Sequence, residues 1–418
     1  MPPLFYQHFW NIADSNVTQA VLLWLNTCIH PELVNHTFLT LMPKTPNPKH
    51  AHKYQPISLC NVLYKIFSKV LANRLKKVLP DIITEHQSAF VKDHQISNKI
   101  LVTFETLHCM KNHKSGNSGF MALKLDMSKT YDRVEWSFLE VLMWKMGFDK
   151  RWIDLIMIYV KTITYSIIVN GELKGLIHPS SGIKQGNPLS PFLFLICMEG
   201  LHGLIRNAAR EREIKGFSLC RRGSKLTHLF FADDSLLFCR ANPNECNKIL
   251  SILSSYESAS GQQVNRSKTT LFFSKSTLED IKELIKDLLR VQEIQHYEKH
   301  LGLPSLVGKG KKASFNYIKK RVWKKLQEWE GKLLSQAGRE VLIKSIIQAI
   351  PSFAMGCFKI PLGLCNDIEV LIKKFWWWEQ GNRHKIYWLK LDEMTKSKMV
   401  GGMSFRDLAM LNDSLLAK

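Results

Sequence analysis

The sequence is short of acidic residues, of paired cysteines and of unbroken apolar runs, and each shortage narrows what the chain can be. Across 418 residues, Asp and Glu number 36 against 58 Lys and Arg, a formal charge of +22. Such an excess selects polyanionic partners, nucleic acid first and an anionic membrane second; a basic but otherwise ordinary protein is the plain alternative. The 9 cysteines are dispersed, with no C-x-x-C pair and no Cys/His cluster at zinc spacing. That excludes a finger-type metal module and a disulfide scaffold, and it suits a reducing compartment. Residues 1–10 have neither a charged start nor a long apolar core, so they do not read as a signal peptide. The two most apolar stretches are both interrupted, Pro188–Ile205 by Glu199 and His202, and Ile346–Leu364 by Pro351, Lys359 and Pro361. Neither reads as a membrane span. No internal repeat or low-complexity linker breaks the chain. A soluble intracellular protein of the nucleus or cytoplasm, with no membrane partner, is expected.

What is there is a globular composition, 45% hydrophobic and 22% charged, with length enough for two or three compact subdomains. The patterning predicts a helix over 17–25, a strand over 37–42, a helix over 61–78 ended by Pro80, and a helix over 97–112. It continues with a strand over 120–126, helices over 132–146 and on to 162, and a β-hairpin around Asn170-Gly171. A Gly-punctuated turn over 182–191 opens an apolar helix to 208. Helices over 244–260, 277–290, 311–334 and 337–350, and a strand over 269–273, complete the reading. Composition shifts to basic helices near 276–310, the best candidate for a subdomain boundary.

Chemistry concentrates in the run from Leu229 to Phe238, where Asp233 and Asp234 lie between two apolar segments of strand length. The pair reads as the tip of a β-hairpin with both aspartates at the turn. Taken alone it reads equally well as a charged surface turn. A third carboxylate, Asp126, stands at the exit of the strand over 120–126. If the two strands are neighbours, the carboxylates converge. The usual relief for converging carboxylates is a divalent cation that takes hard oxygen ligands, Mg2+ above all. Two such ions clamp the attacking and leaving oxygens of a phosphoryl transfer. On a basic chain this points to nucleotidyl transfer on a nucleic acid.

Phe231-Ala232-Asp233-Asp234 resembles the F/Y-x-D-D hairpin of reverse transcriptases. The stretch from Leu123 to Trp136 resembles their first catalytic motif, in the version carried by plant LINE-type (non-LTR) retrotransposons, and Gly182 to Pro191 resembles the motif between the two. Pro56–Lys65, Gln87–Phe90, Leu301–Pro304 and Gly401–Arg406 are similar to further family segments, in the family's order and over nearly the whole chain. The resemblance implies an α+β right-hand polymerase fold with fingers, an antiparallel-sheet palm and a helical thumb. It implies dNTP addition to a DNA primer 3′-hydroxyl on an RNA template, with two Mg2+ ions or Mn2+ in their place. Asp126 and Asp233 would be the principal metal ligands and Asp234 the second hairpin carboxylate. Tyr131 falls where the family places an aromatic ring that rejects a ribose 2′-hydroxyl, although a core aromatic would look the same. Gln185 and Gly186 would lie against the nucleotide and template, or simply start a helix. Lys268 would offset charge on the departing pyrophosphate, or be a solvated lysine. In the helix over 311–334, Phe315, Ile318, Val322, Leu326 and Trp329 form a packing face. Lys319, Lys320, Arg321 and Lys324 form either a track for duplex phosphates or a solvated face. The implied layout is an N-terminal extension over 1–44, fingers and palm over 45–275, thumb and connection over 276–380, and a truncated C-terminal segment over 381–418. A fragment without endonuclease or RNase H domains is expected.

Several positions depart from the family. Gln55 stands for Arg, Lys92-Asp93-His94 for Pro-Gly-Arg, and Asn98-Lys99 for Asp-Asn. Thr130 stands for Ala, Asn187 for Asp and His300 for Tyr. The changes at 55 and 94 remove cations from where dNTP phosphates would sit, and neither Gln nor a neutral His replaces a bidentate Arg. The changes at 55, 94, 98, 130 and 187 can each arise from one G-to-A transition. The hypothesis is a decayed copy of a silenced element, which leaves a non-catalytic nucleic-acid-binding remnant as the rival function. A group II intron maturase-like RNA-binding protein is a third reading, opposed by the 401–406 tail and the wording of the first motif. The encoding nucleotide sequence is expected to carry an excess of G-to-A transitions; without that excess the decay account collapses.

Overall fold

The computed structural model describes residues 2–27, 32–92, 95–113, 119–220, 223–294, 299–304, 310–329, 332, 334–377 and 388–417. They form two units, Met1–Ile96 with Cys109–Ile294, and Ser97–His108 with Gln295–Lys418. In the first unit the strands are β1 (His36–Pro43), β2 (Tyr54–Cys60), β3 (Phe120–Leu125), β4 (Met127–Ser128), β5 (Thr164–Val169), β6 (Glu172–Ile177), β7 (His228–Phe231), β8 (Asp234–Arg240), β9 (Gln263–Val264), β10 (Thr270–Phe273) and β11 (Gln292–Glu293). One sheet runs β2-β1-β5-β6 and a second runs β11-β10-β3-β8-β7, while β4 pairs with β9. β3 is central; Met121, Leu123 and Leu125 are buried on the face that joins the core, while on the other face Ala122 is buried between half-buried Phe120 and Lys124. The fold is α+β, and its five-stranded sheet is antiparallel from β10 through β3 and β8 to β7.

Helices cover this sheet. Ser190–Arg210 is buried on nearly every side, through Phe192, Leu193, Phe194, Leu195, Ile196, Cys197, Met198 and Leu201. By length and composition it would cross a membrane, but 61% of its apolar window is buried inside the protein, so it is the unit's core helix. Helices Val62–Ile82, Trp136–Lys145, Lys150–Lys161 and Pro243–Ser260 add to one continuous core.

Some sequence expectations are corrected. Pro80 does not end its helix, which runs to Ile82. Pro80 and Lys76 are both exposed, so the Lys76 carbonyl that loses its partner faces water. The hairpin turn is Ala232-Asp233; Asp234 already pairs with Phe231 and opens β8. The helix predicted from 132 begins at Trp136. The chain before it is held by other partners: Gly182 N–H donates to Val134 O at 2.8 Å, Ile183 N–H to Tyr131 O at 2.8 Å, and Glu135 N–H to Ser260 O at 2.9 Å. Trp136 Nε1 returns a bond to Gly182 O at 2.8 Å.

In the second unit the helix predicted over 311–334 is Lys311–Trp329, with 330 and 331 outside the described residues. The 337–350 helix is Gln336–Leu342 followed by a wider π-helical turn, Ile343–Ile347. Phe315, Ile318, Val322 and Leu326 are buried, and Trp329 meets Phe375 of helix Leu362–Trp376 with ring centroids 5.9 Å apart. Trp376 is buried against Phe405, centroids 5.4 Å apart. Asn412 ties helix Leu408–Leu416 to the loop before Pro361, accepting from Ile360 N at 2.7 Å and donating to Met355 O at 2.8 Å.

Gly182 is the tightest point of this wiring. Its φ is +94°, and a Cβ there would meet Asp132 O at 2.7 Å. Gly182→Ala is expected to destabilise the first unit by about 3 kcal/mol in urea unfolding, from left-handed strain plus the clash.

Candidate active site

β3 and β8 pair with Leu125 opposite Ser235, so the next residues outward, Asp126 and Asp234, stand at the same end of two adjacent strands. Asp126 is fixed through its backbone: its N–H donates to Thr269 Oγ1 at 3.3 Å, and its carbonyl accepts from Asn265 N at 2.7 Å. Lys268, between those two anchors, places Nζ 4.0 Å from Asp126 Oδ2. Both side chains are well solvated, so the pairing contributes little to stability. On the other strand, Ala232 sits at φ +51°, a left-handed conformation that costs a non-glycine residue about 1 kcal/mol. Gln87 holds it there. Gln87 Oε1 accepts from Ala232 N and from Ala89 N, each at 3.1 Å.

Burial first, and then the neighbouring Asp233 and Asp126, raise the Asp234 carboxyl above its ordinary range, against Lys124, which lowers it. The three carboxylates thus share one electrostatic field. Their ligand oxygens do not all lie within 4.8 Å of one another.

Beside the hairpin is a cavity of about 780 Å³, lined among others by Asp233, Tyr131, Gln185, Gly186, Gln55 and Lys129. Tyr131 packs on Phe194, with centroids 5.4 Å apart, and burial followed by the Asp233 charge pushes its hydroxyl up to about 12. Gln55 Nε2 donates to Gln185 Oε1 at 3.3 Å, and Gln185 Nε2 donates to Asp132 Oδ1 at 3.1 Å, an amide relay along the cavity wall. Gly186, at φ +86°, makes the turn beside it. Two lining cations, Lys44 and Lys129, escaped the sequence reading. Lys44 opens the Pro/Lys-rich loop after β1, and Lys129 lies two residues before Tyr131, so only the folded chain shows that they share a wall.

The departures are accommodated unequally. Thr130 is buried and donates to Met127 O at 3.3 Å. Asn187 accepts from Leu189 N at 3.0 Å, but its buried Nδ2 has no partner among the described residues. His94 lies outside the described residues. Lys319, Lys320, Arg321 and Lys324 belong to the second unit. Lys319 pairs with Asp367 Oδ2 at 3.1 Å, while Lys320, Arg321 and Lys324 are exposed.

The family described as reverse transcriptase (RNA-dependent DNA polymerase) matches residues 43–318. The chain belongs to this family. It is related to non-LTR retrotransposon Pol proteins: it is 28% identical over 220 residues to the retrovirus-related Pol polyprotein of the type-2 retrotransposable element R2DM from Drosophila melanogaster, a match to 52% of this chain and 19% of that protein. It is 24% identical over 387 residues to the uncharacterized 149 kDa protein of transposon TX1 from Xenopus laevis, covering 89% of this chain and 28% of that one. The chain therefore spans less than a third of the length of these relatives. A telomerase structure from Candida albicans overlaps 83% of this chain and 61% of its own, at 13% identity and a TM-score of 0.43. The reverse transcriptase match contains every cavity-lining residue except Leu41.

A buried cation behind this wall gives no sign in the sequence. Lys184, next to Gln185, is 1% exposed. Its Nζ donates to Asn35 O at 3.1 Å, to Thr37 Oγ1 at 2.8 Å and to Asn35 Oδ1, and it lies 4.1 Å above the Tyr64 ring. Burial pushes its pKa down from 10.5 to about 8. The unfolded chain therefore binds the proton more tightly, and the penalty for burying the charge fades as pH rises from about 8 toward 10.5. Wild type should gain about 2 kcal/mol of unfolding free energy relative to Lys184→Met between about pH 7.5 and about pH 9.5. A pH-independent difference between the two in urea unfolding would refute the shift.

Proposed function

We propose that the chain adds dNTPs to a primer 3′-hydroxyl on an RNA template, as the polymerase segment of a plant LINE-type retrotransposon. The observation that carries this reading is the cavity that Asp233, Tyr131, Gln185 and Gly186 line together, although they come from three stretches far apart in sequence. Asp126, Asp233 and Asp234 offer only carboxylate oxygens, and burial first, then the charge of its two neighbours, raises the Asp234 carboxyl above its ordinary range. That donor set fits Mg2+, with Mn2+ as a substitute. Divalent cations held by these three residues would supply charge neutralisation to the phosphoryl group and a clamp on its entering and leaving oxygens.

The chain's own side chains do the rest. The Tyr131 ring, lining the cavity, would exclude a ribose 2′-hydroxyl. Gln185 and Gly186 shape the wall against base and template. Lys268, Lys44 and Lys129 attract the triphosphate and offset the charge of pyrophosphate as it leaves. Lys320, Arg321 and Lys324, with Lys319 when it leaves Asp367, contact phosphates of the template–primer duplex.

A second reading, a remnant that binds nucleic acid and adds nothing, is supported by Gln55. It puts a neutral amide into the cavity where the family has a bidentate cation. Extension of a DNA primer on an RNA template in Mg2+ separates the two. Wild type should extend, and Asp233→Asn should lose about a hundredfold or more. Equal background in both, with duplex binding that weakens steeply with salt, leaves the remnant. Under the polymerase reading, Tyr131→Ala should raise NTP use relative to dNTP by about tenfold or more; an unchanged ratio counts against the ring's role.

A further inference from the structure

The chain has no sequence spacing typical of a zinc site, yet the fold assembles one set of nitrogen donors. His86, His202 and His228 come from three separate segments, and one ligand atom of each lies within 4.8 Å of the others. His228 is 1% exposed and His202 8%. His202 Nδ1 is 2.8 Å from His228 Nε2, and the His86 and His228 rings stack with centroids 4.6 Å apart.

We infer that His86, His202 and His228 bind a borderline divalent transition metal, Zn2+ by class, at a site separate from the three aspartates. Neutral imidazoles suit such an ion, whereas the aspartate oxygens suit a harder one. The outer shell agrees. Thr84 Oγ1 lies 3.1 Å from His86 Nδ1 and Thr227 Oγ1 lies 2.9 Å from His228 Nδ1. With each threonine accepting from Nδ1–H, the lone pair of each ring falls on Nε2, the arrangement that orients histidine ligands elsewhere. Glu199, one turn before His202, accepts from Thr84 N at 3.1 Å and so anchors the His86 segment to the helix, leaving solvent to complete the shell. Two nitrogens on one tetrahedral Zn2+ stand roughly 3.3 Å apart. The His202–His228 pair therefore opens slightly, and His202 passes its proton to Nε2 as Nδ1 takes the metal.

The ion would pin three elements together: the 84–88 segment, helix Ser190–Arg210 and β7, whose far end carries the Asp233 turn. It closes long loops, where a cross-link restricts the unfolded chain most.

The whole chain, purified without chelators or affinity metal, is expected to carry one Zn2+ by mass spectrometric metal analysis and to gain several degrees of Tm when Zn2+ is added to stripped protein. Co2+ in its place should give the visible absorption of a tetrahedral nitrogen site. Asp233→Asn should keep the ion, and His228→Gln and His202→Gln should lose it. Absence of stoichiometric metal with no Tm response in wild type would overturn the inference, and so would undiminished Zn2+ in both histidine variants. The wild-type measurement decides even if a variant fails to fold.

Discussion

Leu125 faces Ser235 across two antiparallel strands, and the chemistry of the first unit depends on that register. It sets Asp126 and Asp234 abreast at one sheet end and leaves Asp233 one step beyond, on the turn that reaches the cavity. Side chains alternate along a strand, so a slip by a single residue would turn Met121 and Leu123 out of the core and send Asp126 to the wrong face. The same apolar burial that fixes β3 in the middle of the sheet therefore fixes the carboxylates.

The strands, the hairpin and the three aspartates were legible because their signals are local: apolar runs of strand length that end in charge. What was not legible depends on partners from elsewhere. The start of the helix at Trp136 is decided by Gly182 and Ile183, and the turn at Ala232 by the Gln87 side chain. Lys184 reads as one more basic residue in a basic chain, and only Asn35, Thr37 and Tyr64 make it a buried cation. The three histidines lie too far apart in sequence for any spacing rule. Pro80 misled because a proline near a helix end on the wet side costs less than one in the interior.

The cavity wall is chemically mixed. Asp233 and Tyr131 line it, while Gln55, Gln185 and Asp132 form a chain of modest hydrogen bonds where a fixed guanidinium would offer charge and geometry together. Lys44 and Lys129 restore some positive potential as mobile point charges without the planar fork. Charge attraction and geometric placement are separate demands, and this wall meets the first better than the second.

β7 is the outer strand of its sheet, and such strands commonly offer free backbone groups to other chains. Here Phe230 N donates to His86 O at 2.8 Å, and Phe230 O accepts from Ser88 N at 3.3 Å. The short segment around Gln87 thus caps the margin beside the aspartates, and β7 itself is only 4 residues long. Self-association by strand addition is blocked at this margin. The hairpin is thereby kept from pairing with a second chain and nucleating aggregation.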